Sequence, residues 1–247
     1  MRSPARLRMS VNVALAELAN GIKSGRFKSV AMLTGSGVST AAGIPDFRSP
    51  GGMYDTLRPE LLTATAAERR AMKRDPTVVV SWDLFKQNPI PYHEMRRPFI
   101  LGVADNKWKM TISHYFTKLL HSHNILRHLF TQNIDGIDYQ SGVPADKIVT
   151  VHGTIGRAAC ERCLREMDYS EFKQRVQEQI KDIYLEGNVN KEERGKKGKE
   201  KEKEKNTLNP TNLNSNEPVG PDKSTAILCP SCNKPAVKPT TVLYVNM

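Results

Sequence analysis

No run of eighteen consecutive apolar residues occurs anywhere in the 247-residue chain, which excludes a membrane-spanning helix of ordinary length. The first ten residues, MRSPARLRMS, are basic but lack the apolar core of a secretory leader, so secretion is not expected. Cysteine is scarce. Four residues are too few for a disulfide scaffold in a chain of this length, which leaves metal ligands or buried thiols. Acid is short as well: 26 Asp and Glu stand against 37 Lys and Arg, a formal charge of +11. That surplus is diffuse. The tract KEERGKKGKEKEKEK (191–205) holds eight basic and five acidic residues, a net of +3, and the remaining +8 is spread with only small clusters such as Arg2, Arg6 and Arg8. This pattern reads as a solvated basic surface with no strong nucleic-acid signal.

The rest of the composition is that of an ordinary globular protein, 38% hydrophobic and 26% charged, with a length that suits one large domain or two small ones. From 186 to 224 the chain is Lys, Glu, Asn, Gly, Pro and Ser with almost no large apolar residue. Such a segment buries too little apolar surface to offset the entropy of ordering it, and a disordered insert is expected there. Before it, Val11, Leu15, Leu18 and Ile22 recur at helical spacing. The same spacing places Ile112, Tyr115, Phe116, Leu119 and Leu120 on one face of 111–122, and Tyr169, Phe172, Val176, Ile180 and Ile183 on one face of 169–183. Short apolar runs at SVAMLT (29–34), ILRHLF (125–130), KIVTV (147–151) and TVLYV (241–245) read as strands. Strands alternating with helices predict a parallel sheet covered on both faces, with ligands beyond the carboxyl ends of its strands.

Three strand ends carry polar or glycine residues suited to such a site. Gly35-Ser36-Gly37 follows the first strand and precedes an expected helix at 38–42, an arrangement that either cradles a phosphate or simply makes a tight turn. It is not G-x-G-x-x-G, because Thr40 stands at the third position, and no acidic residue follows at the end of a second strand about twenty positions on. An ordinary dehydrogenase is therefore disfavoured. Asp46-Phe47-Arg48 lies in a Pro- and Gly-rich loop, which suits either closure over a nucleotide or a structural loop with a buried Phe. Gln132, Asn133 and Asp135 in TQNIDGID hold short hydrogen-bonding groups fit for ribose and carboxamide, or for a helix cap. His152, before Gly153 in VTVHGT, is the one histidine at a strand end beside the other motifs and is the candidate general base. Cys160-x-x-Cys163 and Cys229-x-x-Cys232 use all four cysteines in the pairing of a closed structural zinc site. The redox alternative lacks the strand-to-helix context it needs.

Taken in order, GSGVSTAAGIPDFRS, TQNIDGID, VHG and the paired CxxC resemble the sirtuin family of NAD-dependent protein lysine deacylases. The resemblance covers about residues 12–183 and 226–245, and SPGGMYDTL, SWDLF and ISHYF look most like its eukaryotic histone and tubulin deacetylase branch. It implies a Rossmann-like α/β fold with a small zinc-binding subdomain. The implied cofactor is NAD, held by Gly35, Ser36, Gly37, Asp46, Phe47, Arg48, Gln132, Asn133, Ile134 and Asp135. His152 would be the general base and Asn133 a second catalytic residue, and one structural Zn²⁺ per chain would sit on Cys160, Cys163, Cys229 and Cys232. The implied reaction takes an acyl-lysine protein, histone or tubulin-like, to free lysine, nicotinamide and O-acyl-ADP-ribose. ADP-ribosyl transfer would use the same pocket. The implied compartment is the nucleus or cytoplasm, with the mitochondrion as a further option.

The departures are specific. Ser36 stands where the family usually has Ala. After Lys238-Pro239 the family runs a strand into Phe-Gly-Glu and later a glycine-serine loop, whereas here TVLYV leads to Asn246-Met247. The expected organisation is a Rossmann-like domain over 12–153, a zinc subdomain over 154–239 containing the insert 186–224, and the start of a further strand over 240–247. On that basis the sheet is incomplete at the C-terminus, with an uncovered edge and apolar face. A truncated, non-catalytic interaction module is the alternative expectation.

Overall fold

A computed structural model of the chain describes residues 11–44, 51–184 and 220–245. Asp46, Phe47 and Arg48, residues 186–219 of the expected insert, and Asn246-Met247 lie outside the described residues.

Helix α1 (Val11–Lys23) leads into strand β1 (Val30–Thr34). Four α-helices lie in the connection to the next strand, the first three being α2 (Ala66–Arg74), α3 (Trp82–Gln87) and α4 (Ile90–Ala104). Helix α2 starts where a capping box can form. The Thr65 hydroxyl accepts from Glu68 N at 3.2 Å, and the Glu68 carboxylate accepts from Thr65 N at 2.6 Å. Helix α4 is buried nearly all round and holds Pro98 inside it, so it shows no amphipathic period in the sequence. Helix α5 (Ile112–Ser122) precedes β2 (Leu126–Thr131), and β3 (Ile148–Thr150) follows. Strands β1, β2 and β3 form a parallel sheet in that spatial order. A second, antiparallel sheet joins β4 (Ala158–Cys160) to β5 (Glu166–Met167) and to β6 (Val237–Pro239), with β4 in the middle. Helix α6 (Tyr169–Gln179) packs on α4 and seals this second sheet through Phe172 and Val176.

Several expectations are corrected. The stretch 38–42 is not an α-helix. Two single 3-10 turns, Ser36–Val38 and Thr40–Ala42, replace it. The Thr40 hydroxyl bonds back to the Gly37 carbonyl at 3.0 Å and Gly43 turns left-handed at φ 86°, so the local hydrogen bonds end each turn before an α-helical ring can close. Of the expected apolar face of α5, only Phe116 and Leu120 meet the sheet, against Leu126, Leu129 and Ile148. Ile112 is 83% exposed, and Tyr115 and Leu119 are exposed too. The sheet is covered on that one face. On the other, Leu33 pairs in register with Phe130, and Phe130 with Val149. All three are exposed, Leu33 at 69% and the other two at 38%, and none of them belongs to a core cluster of the described residues.

Residues 241–245 are extended but form no ladder with β3. Val242 N donates to the His152 carbonyl at 3.0 Å, Tyr244 makes one isolated parallel bridge with Ser81, and Leu243 enters the core between α2, α3 and α4. The last five residues of the polar tract, 220–224, are described and docked. Ser224 Oγ donates to the buried Glu94 carboxylate at 2.6 Å and accepts from Lys181 N at 3.0 Å. No helix of the described residues is long and apolar enough to cross a membrane.

Arg97 of α4 meets Asp182 at 3.0 Å with both side chains almost wholly buried, tying α4 to the segment after α6. Removing the carboxylate takes this ion-pair partner away from a guanidinium that stays buried. Asp182→Ala is expected to lower unfolding free energy by about 3–5 kcal/mol, read from the urea midpoint. A change within about 0.5 kcal/mol would show that the guanidinium rehydrates without cost.

Candidate functional site

The parallel strands deliver three polar segments to one edge. β1 ends in Gly35-Ser36-Gly37, β2 in Gln132-Asn133-Ile134-Asp135, and β3 runs through Val151 to His152. Their ends are knitted together, with Gln132 N donating to the Thr34 carbonyl at 3.0 Å and Val151 N to the Thr131 carbonyl at 3.0 Å. Gly35 faces Gln132. A Cβ built on Gly35 would sit 3.5 Å from Gln132 Oε1, so the two strand ends lie side by side. Ser36 and Gly37 are exposed, in the single 3-10 turn that follows β1. Exposed backbone N–H groups at the start of such a turn suit an anion.

Asn133 and Asp135 are buried and joined through a residue that sequence reading missed. Asn133 Nδ2 donates to the Gly35 carbonyl and to Ser39 Oγ, both at 3.1 Å. Ser39 Oγ in turn donates to Asp135 Oδ2 at 2.7 Å, and Asp135 Oδ1 accepts from Ile137 N at 3.0 Å. The Asp135 carboxylate therefore ends a directed chain of hydrogen bonds that fixes the Asn133 amide. Ile134 is buried beside them, its carbonyl accepting from Ile155 N. A second layer lies beneath. Asn133 N donates to the Thr131 hydroxyl, and burial pushes the Asp138 carboxyl up, opposed by the Thr131 hydroxyl and the nearby His114 ring. Ser39 had no signal beyond its place within GSGVST, and His114 lies on a helix where its role is set by three-dimensional packing.

His152 is exposed, and its Nδ1 lies 2.9 Å from the Gln132 carbonyl. A carbonyl can only accept, so Nδ1 carries the proton and Nε2 keeps its lone pair free toward solvent. That is the tautomer a general base requires. The left-handed Gly153 (φ 73°) follows, and a Cβ there would fall 1.9 Å from the Thr240 carbonyl oxygen. The chain crossing over the His152 turn leaves no room for any other residue.

The four cysteines converge from β4 and its turn and from the segment before β6. Cys160 Sγ is 3.6 Å from Cys232 Sγ, Cys163 Sγ is 3.6 Å from Cys229 Sγ, and all four sulfurs lie within 4.8 Å of one another. Four sulfurs at about 2.3 Å from a tetrahedral zinc lie about 3.8 Å apart, so this set fits one ion. Arg162 N points at Cys160 Sγ and Ser231 N at Cys229 Sγ, both at 3.4 Å, donors that favour thiolates. Burial pushes the Cys229 thiol up, but the N–H groups of Cys232 and Ser231 and the neighbouring thiols outweigh it and bring it down to about 6. The cysteines are thus positioned to bind one zinc ion, well placed to hold the second sheet together.

A family profile described as "Sir2 family" matches residues 35–247. The NAD-dependent protein deacetylase hst2 of Schizosaccharomyces pombe is 35% identical over 159 residues, 64% of this chain and 43% of that protein. The NAD-dependent protein deacetylase sirtuin-3 of Mus musculus is 34% identical over 153 residues, 62% of this chain and 41% of that protein. Among solved structures, one described as "The Structural basis of Sirtuin Substrate Affinity" superposes with a TM-score of 0.57 at 20% identity, covering 96% of this chain and 66% of that one. The chain spans less than half the length of the curated relatives it matches.

Two outcomes follow from this geometry. The purified chain is expected to carry one zinc ion per molecule by elemental analysis, and Cys229→Ser to lose it together with cooperative unfolding of the second sheet. Full metal content in the variant would remove Cys229 from the ligand set. Gly153→Ala is expected to cost about 2 kcal/mol or more in urea unfolding, since it adds left-handed strain to a clash with backbone. A neutral effect would mean that residues 240–241 do not lie over this turn.

Proposed function

The chain belongs to the Sir2 family, and from that premise we propose that its sheet edge is the cofactor and catalytic side of an NAD-dependent protein lysine deacylase. The observation that carries the reading is the alignment of Gly35-Ser36-Gly37, Gln132-Asn133 and His152 at adjacent strand ends, with the His152 tautomer fixed by the Gln132 carbonyl. The exposed N–H groups of Ser36 and Gly37 suit the diphosphate. The Gln132 side chain, beside Gly35, suits the nicotinamide ribose. The Asn133 amide, aimed by Ser39 and Asp135, suits the carboxamide end of the cofactor, with Ile134 beside it. Asp46, Phe47 and Arg48 are proposed to contribute to cofactor binding. Bound NAD supplies an electrophilic ribose carbon and a leaving group, nicotinamide. His152 Nε2 receives a proton from the reacting hydroxyl and, in its charged form, remains anchored through Nδ1–H to Gln132. The zinc is assigned a structural part, away from the reacting groups.

The proposed substrate is an acyl-lysine protein. The likeness of SPGGMYDTL, SWDLF and ISHYF to the histone and tubulin deacetylase branch supports a histone or tubulin-like partner and a nuclear or cytoplasmic site of action.

The test is nicotinamide release. Zinc-loaded protein is expected to release nicotinamide from NAD only when an acyl-lysine peptide is present, and His152→Ala is expected to reduce the rate by about 10²- to 10⁴-fold. Release that does not require the peptide would favour ADP-ribosyl transfer or simple hydrolysis, and no release from folded, zinc-loaded protein would return the chain to a non-catalytic module.

A further inference from the structure

Lys238 is a lysine at 2% side-chain exposure, in the last strand of the second sheet, and nothing in the proposed chemistry uses it. Its ammonium has three donors and all three are taken. It donates to the Pro239 carbonyl at 2.9 Å and the Thr241 carbonyl at 2.5 Å, and it pairs with Glu161 Oε1 at 2.7 Å. Two carbonyls from residues 239 and 241 aim at one point only if the chain between them bends. The ammonium fills the inside of that bend. An apolar side chain of the same size would fill the space but leave the Pro239 and Thr241 carbonyls without this donor, so what the lysine supplies beyond bulk is the hydrogen bonding that shapes the bend.

The bend lies directly over the site. Thr240 N donates to the Arg157 carbonyl at 2.9 Å and the Thr240 hydroxyl to the Thr154 carbonyl at 3.2 Å. The Thr240 carbonyl occupies the space beside Gly153, and Val242 N donates to the carbonyl of His152 itself at 3.0 Å. The other side of the same segment is pinned to α4, through Tyr92 to the Thr241 hydroxyl and His93 to the Val237 carbonyl, both at 3.0 Å. Glu161, the partner of Lys238, is the residue immediately after Cys160.

We propose that Lys238 is a positioning residue for His152: its ammonium sets the bend at 239–241 that holds the His152 turn, and its pairing with Glu161 ties that bend to the first cysteine pair. The proposal rests on the reading of His152 as the base for its kinetic consequence, but its structural content can be measured without any turnover. Lys238→Met is the direct variant. It is expected to retain one zinc ion and a cooperative unfolding transition, to shift the ¹⁵N resonances of the His152 ring, and to lower kcat for nicotinamide release by about ten- to a hundred-fold while KM for NAD stays within about twofold. Lys238→Arg, which keeps the charge and the donors, is expected to recover part of both effects. If wild-type protein releases no nicotinamide, the deacylase reading fails and the resonance alone decides this proposal. A His152 resonance unmoved in zinc-loaded Lys238→Met overturns it, and so does a loss confined to KM. Should that variant not fold, Glu161→Gln serves in its place, since Glu161 is one-third exposed and Gln keeps its size. It is expected to move the same resonance in the same direction, and an unmoved resonance there overturns the proposal equally.

Discussion

One close passage of backbone over backbone organises this molecule. Residues 240–242 cross the His152-Gly153-Thr154 turn with the Thr240 carbonyl where a side chain at 153 would otherwise stand. This crossing fastens the cysteine-bearing sheet, the buried helix α4 and the parallel sheet to one another at the site, alongside the core they share. Each contributes a fastening: Lys238 and Glu161 from the second sheet, Tyr92 and His93 from α4, and the His152 carbonyl from the end of the third parallel strand. The glycine is fixed at 153 by that geometry, and the histidine before it inherits a defined position.

The site itself is a consequence of parallel pairing. Strands that run the same way end at the same edge, so turns remote in sequence meet there without any side chain having to specify it. What side chains add is orientation. The Gln132 carbonyl selects the His152 tautomer, and the Asn133-Ser39-Asp135 chain points an amide that would otherwise rotate freely. Both devices use groups that are committed to one another before any ligand arrives, which is how a site is preorganised.

The elements most legible in the sequence were those with local signatures. The three parallel strands stand within a residue or two of the apolar runs that predict them, since short β-rich runs bounded by Gly, Asn or Asp have few alternatives. The cysteine pairing was legible because CxxC is a local motif whose partner can lie at any distance. Helix α4 was not, because a helix buried on every side has no period to detect. The segment 38–42 misled for a local reason, as Ser39 and Thr40 spend their hydroxyls on hydrogen bonds that a propensity reading does not count. Ser39 and Tyr92 could not be picked out, because their partners lie far away in the chain and only folding brings them together, and Lys238 has one such distant partner, Glu161, beside two carbonyls close by. The exposed stripe of α5 and the bare row Leu33, Phe130 and Val149 show the same limit from the other side: spacing gives a face, and packing decides whether that face is covered.

The central claim is that the three strand ends form one cofactor surface. Titration of ¹⁵N-labelled protein with NAD, followed by amide and histidine ring resonances, addresses it most directly. The account predicts that shifts concentrate at Gly35–Val38, Gln132–Asp135 and the His152 ring, with the cysteine-bearing sheet unmoved. Shifts centred elsewhere, or none at NAD concentrations that support turnover, would contradict it.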